Sequence, residues 1–226
     1  MNTKQQKQGD ASTTTERLLD TAERLFAESG YDGVGMRALA QEAGVNLGAT
    51  TYHYGSKEKL YIEASIRRFH PLVAERVDLL QRAEKTSKGK PLSVETIVDC
   101  LVRPPFMTVL AHPYFIALLS RNLFMPPPFM QESLLKEFAS INEPFVAAFA
   151  HTLPELPLEV LQLRVGFSSS VLFMSSNKLS QAPMRSKPAL CEAVLKEMVV
   201  FISAGIRADR AALDADLQAL VLRWPH

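Results

Sequence analysis

The stretch from Val34 to Lys57, VGMRALAQEAGVNLGATTYHYGSK, constrains the fold more than any other part of the chain. Met36, Leu39, Ala40 and Ala43 fall at i, i+3, i+4 and i+7, the apolar stripe of a short helix packed on one side. Gly44 ends that helix, because a glycine accepts the left-handed conformation of a helix terminus. Val45 can plug the corner, and Asn46 is a good N-cap for a second helix starting at Leu47. The pattern predicts helix, tight turn, helix. The second helix carries Thr50, Thr51, Tyr52, His53 and Tyr54. Their short hydroxyls and ring-borne polar tips suit base edges, thymine methyls and phosphate oxygens.

On these residues the chain from Thr13 to about Ala64 resembles the DNA-binding domain of the TetR family of transcriptional regulators. The run LFAESGYDGVGMRALAQEAGVNLGATTYHYGSKEKLY follows the family pattern in one register, through helix lengths, turn glycine, aromatic-histidine-aromatic run and the Gly55-Ser56-Lys57 exit. Tyr52-His53-Tyr54 resembles the subgroup whose recognition helix ends in Asn-Tyr-His-Phe. The match covers roughly the first quarter of the chain. The resemblance implies a three-helix helix-turn-helix head, a palindromic operator on double-stranded DNA, homodimerisation, and a small-molecule effector held in a larger helical body. It also implies that Lys57 holds a phosphate and that Arg37 reads a base or a phosphate. Gly35 stands where the family usually has a capping Ser or Thr, and Thr51 where Tyr or Asn often sits.

Around the second helix, Leu47, Gly48 and Thr51 lie outward, whereas Thr50 and Tyr54 lie toward the stripe of the preceding helix. Gly48 lets the backbone approach DNA closely, Thr51 is placed to read a base edge or a methyl, and Tyr52 and His53 are placed to hold phosphates. Charge does not single out the head: through residue 60, seven basic side chains stand against eight acidic ones. Phosphate contact therefore rests on where Arg37, Lys57 and Lys59 sit, helped by helix N-termini and neutral donors.

The 226 residues suit one compact unit or two small domains, and 47% hydrophobic content is ample for a buried core. No apolar run approaches the roughly 20 residues that span a bilayer, and the N-terminus lacks a signal peptide's apolar segment, so a cytoplasmic location is expected. Composition changes near residue 60: all 14 prolines and 11 of the 12 phenylalanines follow it, whereas seven of the ten glycines precede it. We expect a disordered arm over 1–12, a DNA-binding head over 13–60, and a helical effector-binding and dimerisation body over 61–226. The fold class expected is all-α, since no segment alternates at period two and hairpin signals are missing.

In chain order, Thr13 with Glu16 reads as a capping box opening helix one, whose stripe is Leu18, Leu19, Ala22, Leu25 and Phe26 and whose end is Gly30. Ser56 caps a fourth helix, which Pro71 is expected to kink near Phe69-His70 before it continues to about Ala83. Leu92 to Val102 reads as a helix interrupted by Pro104-Pro105, with a shorter one over Phe106 to Ala111 and another over Tyr114 to Phe124. A helix from about Met130 to Ala150 is expected to bend at Pro144. Leu158 to Leu179 and Ala189 to Arg207 are too apolar for a monomer's surface; the family resemblance implies that they are the dimer helices (158–179 and 189–207). A last amphipathic helix is expected over Ala211 to Trp224.

The body carries no catalytic signature. His70, His112, His151 and His226 lack metal-ligand spacing, no GxSxG elbow or Gly-rich phosphate loop is present, and Cys100 and Cys191 lie far apart. No enzyme activity, metal or cofactor is expected. A ligand pocket for a mostly apolar molecule is instead expected where aromatic residues and methionines concentrate between broken helices, at Phe106, Met107, His112, Tyr114, Phe115, Arg121, Phe124, Met125 and Phe129. An ordinary aromatic core is the competing reading of these side chains. The function expected is a ligand-responsive regulator, a repressor released from its operator by the effector. A dimeric DNA-binding organiser without effector and an all-α enzyme with a degenerate head are the alternatives.

Overall fold

Helix α1 runs from Thr3 to Ser29 and buries Leu18, Leu19, Ala22 and Phe26. It starts ten residues before the expected capping box, so the segment taken for an arm is helical from Thr3 onward. The physical reason is cooperativity: once the Leu18–Phe26 turns are docked, each residue added in front gains a backbone bond without a new nucleation cost. Lys4, Gln5, Gln6 and Lys7 are also good helix formers. The computed structural model describes residues 3–48, 54–131, 141–181 and 186–209, with side chains from residue 14 on and only the backbone over 172–181.

After α1 come α2 (Met36–Glu42), α3 (Lys57–Ile66), α4 (Phe69–Ser87), α5 (Val94–Ala111), α6 (Pro113–Phe124), a 3-10 turn at Pro128–Met130, α7 (Glu143–Thr152), α8 (Leu158–Gln181) and α9 (Pro188–Arg207). Every described element is helical, as the period-3.6 stripes require. The expected helix over Ala211 to Trp224 lies outside the described residues.

The expectations at four prolines meet a different outcome. The chain does not bend a continuous helix at Pro71; α3 ends at Ile66 and α4 starts at Phe69, which puts Pro71 in the first turn of α4, where its missing N–H removes no intrahelical bond. Pro104 and Pro105 do not interrupt α5, which runs through them. A proline inside a helix costs about 3 kcal/mol. Ile97, Val98, Leu101, Val102, Phe106 and Val109, buried on both sides of the pair, contribute roughly 1.5–3 kcal/mol each and outweigh it. Pro144 bends nothing, because it occupies the first turn of α7. The expected Met130–Ala150 helix is accordingly not continuous: Met130 belongs to the 3-10 turn and α7 opens at Glu143.

The chain divides into two units that interleave in sequence. One comprises Met1–His70 with His112–Leu135, the other Pro71–Ala111 with Lys136–His226. In the first, α1 packs on α2, α3 and α6. Its core is aromatic: Tyr61 lies edge-on to Phe26 (centroids 4.8 Å apart), Tyr31 (5.3 Å) and Phe129 (5.8 Å). The Tyr61 hydroxyl donates to Asn122 Oδ1 (2.6 Å), Asn122 Nδ2 donates to Ser65 Oγ (3.0 Å), and Ser65 Oγ donates to the Tyr61 carbonyl (2.8 Å). All three residues are buried, so this closed set of bonds ties α6 to α3.

In the second unit, α5 packs on α7, α8 and α9. Arg103 of α5 donates to both Asp99 and Glu192, joining α5 to the start of α9, and these bonds, the one to Glu192 foremost, raise its pKa. Arg164 of α8 donates to the Ile206 and Ala208 carbonyls (2.6 and 2.7 Å), closing the other end of α9. On α9, Leu195, Val199, Ile202 and Ile206 face the core, while Val200 and Phe201 are 61% and 67% exposed; Phe167 of α8 is 60% exposed.

Candidate nucleic-acid interface

Helix α2 is held on α1 through buried Leu39 and Ala40 and an ion pair between Arg24 and Glu42. Its C-terminus closes as a Schellman turn: the Val45 N–H donates to the Ala40 carbonyl (2.9 Å), the Gly44 N–H to the Gln41 carbonyl (3.1 Å), and Gly44 has φ +65°. A side chain at that φ is strained, which is why glycine marks the corner. Asn46 then caps the next helix, its Oδ1 accepting from the Gly48 N–H at 2.7 Å. Leu47 and Gly48 are helical. The turn therefore sends a capped helix N-terminus out of the head, with Gly48 exposed and Leu47 half-buried at its first turn.

Of the expected contact residues, Gly35, Arg37 and Gly48 are exposed. Gly35 is the N-cap of α2 in an extended conformation (φ −93°, ψ 140°) with no side-chain cap, and a Cβ there would meet nothing within 4 Å. Thr50, Thr51, Tyr52 and His53 lie outside the described residues. Tyr54 is half-buried, and burial raises its pKa. Lys57 opens α3, whose N-cap Ser56 accepts from the Lys59 N–H at 3.2 Å. The Lys57 ammonium sits 4.3 Å from the centroid of the Tyr31 ring, a cation–π contact that holds its long side chain in place. Tyr31 itself is fixed by Tyr61 and Phe129. Sequence reasoning read Tyr31 only as part of a turn; an aromatic residue next to the helix-ending Gly30 was the available signal. Asn122 reads in the sequence as one more polar tip of the expected pocket; nothing there pointed to its pairing with Tyr61, 61 residues away.

A second charged cluster sits on the same unit. The Glu23 carboxylate, only 4% exposed, accepts from Arg67 (2.7 Å) and Arg68 (3.0 Å), which also pair with Asp20. Arg68 Nη1 lies 3.4 Å from His112 Nε2, and burial together with that guanidinium lowers the His112 pKa.

The nine residues expected around a pocket do not gather at one place. Phe106 and Phe115 are buried in the cores of different units. Phe129 is part of the Tyr31–Tyr61 cluster, and His112 meets Arg68. Tyr114, Phe124 and Met125 are exposed. The Arg121 guanidinium packs on Gly30, where a Cβ would lie 2.6 Å from its Nη2. Met107 alone of the nine lines an open cleft of about 650 Å³ in the second unit, together with Glu75, Leu79, Arg103, Cys191 and Glu192.

Comparison with known proteins agrees with this geometry. Residues 18–64 match the family model described as bacterial regulatory proteins, tetR family, and residues 99–205 match the tetracyclin repressor-like C-terminal domain. The chain belongs to the tetR family. Family relatives include the transcriptional repressor AcnR of Corynebacterium glutamicum, 40% identical over 55 residues, which are 24% of this chain and 29% of that one. The transcriptional regulator LmrA of Bacillus subtilis is 44% identical over 50 residues, 22% of this chain and 27% of that one. The chain thus spans under a third of the length of these two relatives. Among solved structures, the TetR-family regulator PfmR from Thermus thermophilus superposes with a TM-score of 0.65 at 21% identity, covering 86% of this chain and all of that one. A TetR-like regulator from a Rhodococcus species gives 0.59 at 17% identity, covering 87% and 97%. Across this identity range the fold is what the family shares.

Proposed function

We propose that this protein is a homodimeric transcriptional regulator of the cell interior, a repressor that leaves a palindromic operator when a small molecule binds its body. The observation that carries the reading is the Gly44 Schellman turn followed directly by the Asn46-capped helix, with Arg37 exposed in the first turn of α2 and Lys57 held over Tyr31. That arrangement presents a helix N-terminus, two cations and a bare glycine backbone from one small unit, which suits phosphates flanking a major groove. Thr51 reads the base edge, Tyr52 and His53 contact phosphates, and the recognition helix is of the Asn-Tyr-His-Phe kind. Exposed Phe167, Val200 and Phe201 support pairing of two copies through α8 and α9. The chain crosses between its two units at His70–Pro71, Ala111–His112 and Leu135–Lys136, so a change in the body can reach the head through covalent joins.

The test is selection of bound duplexes from a random pool, followed by titration of variants at several salt concentrations. A palindromic consensus is expected. Thr51→Ala is expected to alter preference at one position of each half-site, and Lys57→Ala to weaken all sequences alike while lowering the salt slope by about one charge per head. No enrichment of any duplex, or identical effects of the two substitutions, would refute the assignment.

A further inference from the structure

Arg76, on α4, is 7% exposed, yet no carboxylate among the described residues lies within ion-pair distance of it. Its Nη2 donates to Asn142 Oδ1 at 3.1 Å, and its guanidinium lies 4.9 Å from the centroid of the Phe145 ring. Nε is buried with no acceptor among the described residues. The nearest acids in sequence are turned to other work: Asp78 pairs with Arg82, and Glu75 lines the open cleft. Burial without a counter-ion pulls the Arg76 pKa down to about 10, so the group still carries its charge at neutral pH. A charge taken out of water is tolerated only when it is paired, and among the described residues one amide oxygen and one ring face leave this one short of a partner.

The surroundings share its sign preference. Asn142 is the N-cap residue of α7 but makes no side-chain cap; its oxygen goes to Arg76 instead. The N-terminus of this ten-residue helix, with its partial positive charge, therefore adjoins the guanidinium. Opposite, Phe145 is fully buried and offers an apolar wall. Arginine presents parallel N–H groups that match the two oxygens of a carboxylate or phosphate, and here Nε has no acceptor among the described residues.

We propose that Arg76 is the anchor of an effector site in the body that takes an oxyanion on an otherwise apolar molecule, a small organic acid being the plainest example. The inference rests on the ligand-responsive reading above and narrows it: the effector is anionic, and its charged end sits at Arg76 and the start of α7 rather than among the scattered aromatic residues of the 106–129 stretch.

The experiment is titration calorimetry and thermal unfolding of the full chain with acetate, benzoate, octanoate and inorganic phosphate, each carboxylate paired with its neutral amide. At least one anion is expected to bind saturably, one per chain, at least tenfold more tightly than its amide; phosphate binding alone would assign the site to phosphoryl ligands. Arg76→Met is expected to weaken that binding at least tenfold while the unliganded protein melts no lower than the wild type. Arg76→Lys, which keeps the charge and loses the fork, is expected to fold normally and bind at least threefold more weakly. No binding by any of the four anions, equal binding of acid and amide, or unchanged binding in Arg76→Lys would overturn the proposal. So would a fall in unliganded stability in Arg76→Met that Glu132→Gln or Glu137→Gln reproduces, since an internal carboxylate would then be the partner. Operator affinity measured on the same samples separates the two readings. An anion that binds at Arg76 without altering operator affinity keeps the site and refutes release by an effector. Intact operator binding with no anion bound overturns the site alone.

Discussion

Two glycines of the head look alike in the sequence and differ in what holds them. Gly30 ends α1 at φ +71° with the Arg121 guanidinium packed where a Cβ would go, whereas Gly35 caps α2 in an extended conformation with open space around it. Gly30→Ala is expected to cost about 1–2 kcal/mol from the left-handed backbone, plus whatever Arg121 loses by moving aside. Gly35→Ala is expected to cost about 0.5 kcal/mol, because alanine is a poorer N-cap than glycine, and Gly35→Ser to raise stability by a few tenths of a kcal/mol through the missing cap. Urea midpoints of the three variants check this. Adding Arg121→Ala to Gly30→Ala separates the steric part, which it should relieve, from the backbone part, which it should not. Equal losses at Gly30 and Gly35 would mean the left-handed turn carries no special demand.

At the scale of elements, the binding of α6 to the head is the feature the local pattern did not announce. Asn122 satisfies Tyr61 and Ser65 at once in a buried setting where water cannot substitute. Burial pushes the Tyr61 pKa up to about 12, so the phenol stays a donor through the physiological range. Asn122→Ala strands the Tyr61 hydroxyl and is expected to cost roughly 2–3 kcal/mol, the penalty of an unsatisfied buried polar group added to a lost hydrogen bond. Tyr61→Phe should cost less than that, and the double variant less than the sum, because both changes remove the same bond. Additive losses in chemical denaturation would show that the two side chains are not coupled.

For the whole molecule, the decisive surface is the one α8 and α9 leave open. Phe167, Val200 and Phe201 are each at least 60% exposed on helices whose other faces supply core residues. If two copies pair as proposed, Phe201→Glu is expected to leave a monomer in sedimentation and to weaken operator binding at least about a hundredfold, because a single head buries too little surface for specific recognition. A monomer that still binds its operator tightly would disconnect assembly from recognition.

Much of this was legible in residue order because it depends on neighbours three to five positions apart. The Met36–Ala43 stripe, the Gly44 corner, the Asn46 cap and the Ser56 cap are all local, and the structure forms each of them. The positions of α8 and α9 followed from helical periodicity for the same reason. Prolines were misread wherever burial outweighed local preference: Pro104 and Pro105 lie inside a helix whose apolar flanks are worth more than the two bonds they forgo. The start of α1 was misplaced because a docked helix extends past a sequence that would not nucleate one. The grouping of His112–Leu135 with the head, the Tyr61–Asn122–Ser65 bonds and the buried charge of Arg76 were decided by tertiary structure alone. They join residues dozens of positions apart, and no local period records which distant side chain will meet another, or fail to, once water is excluded.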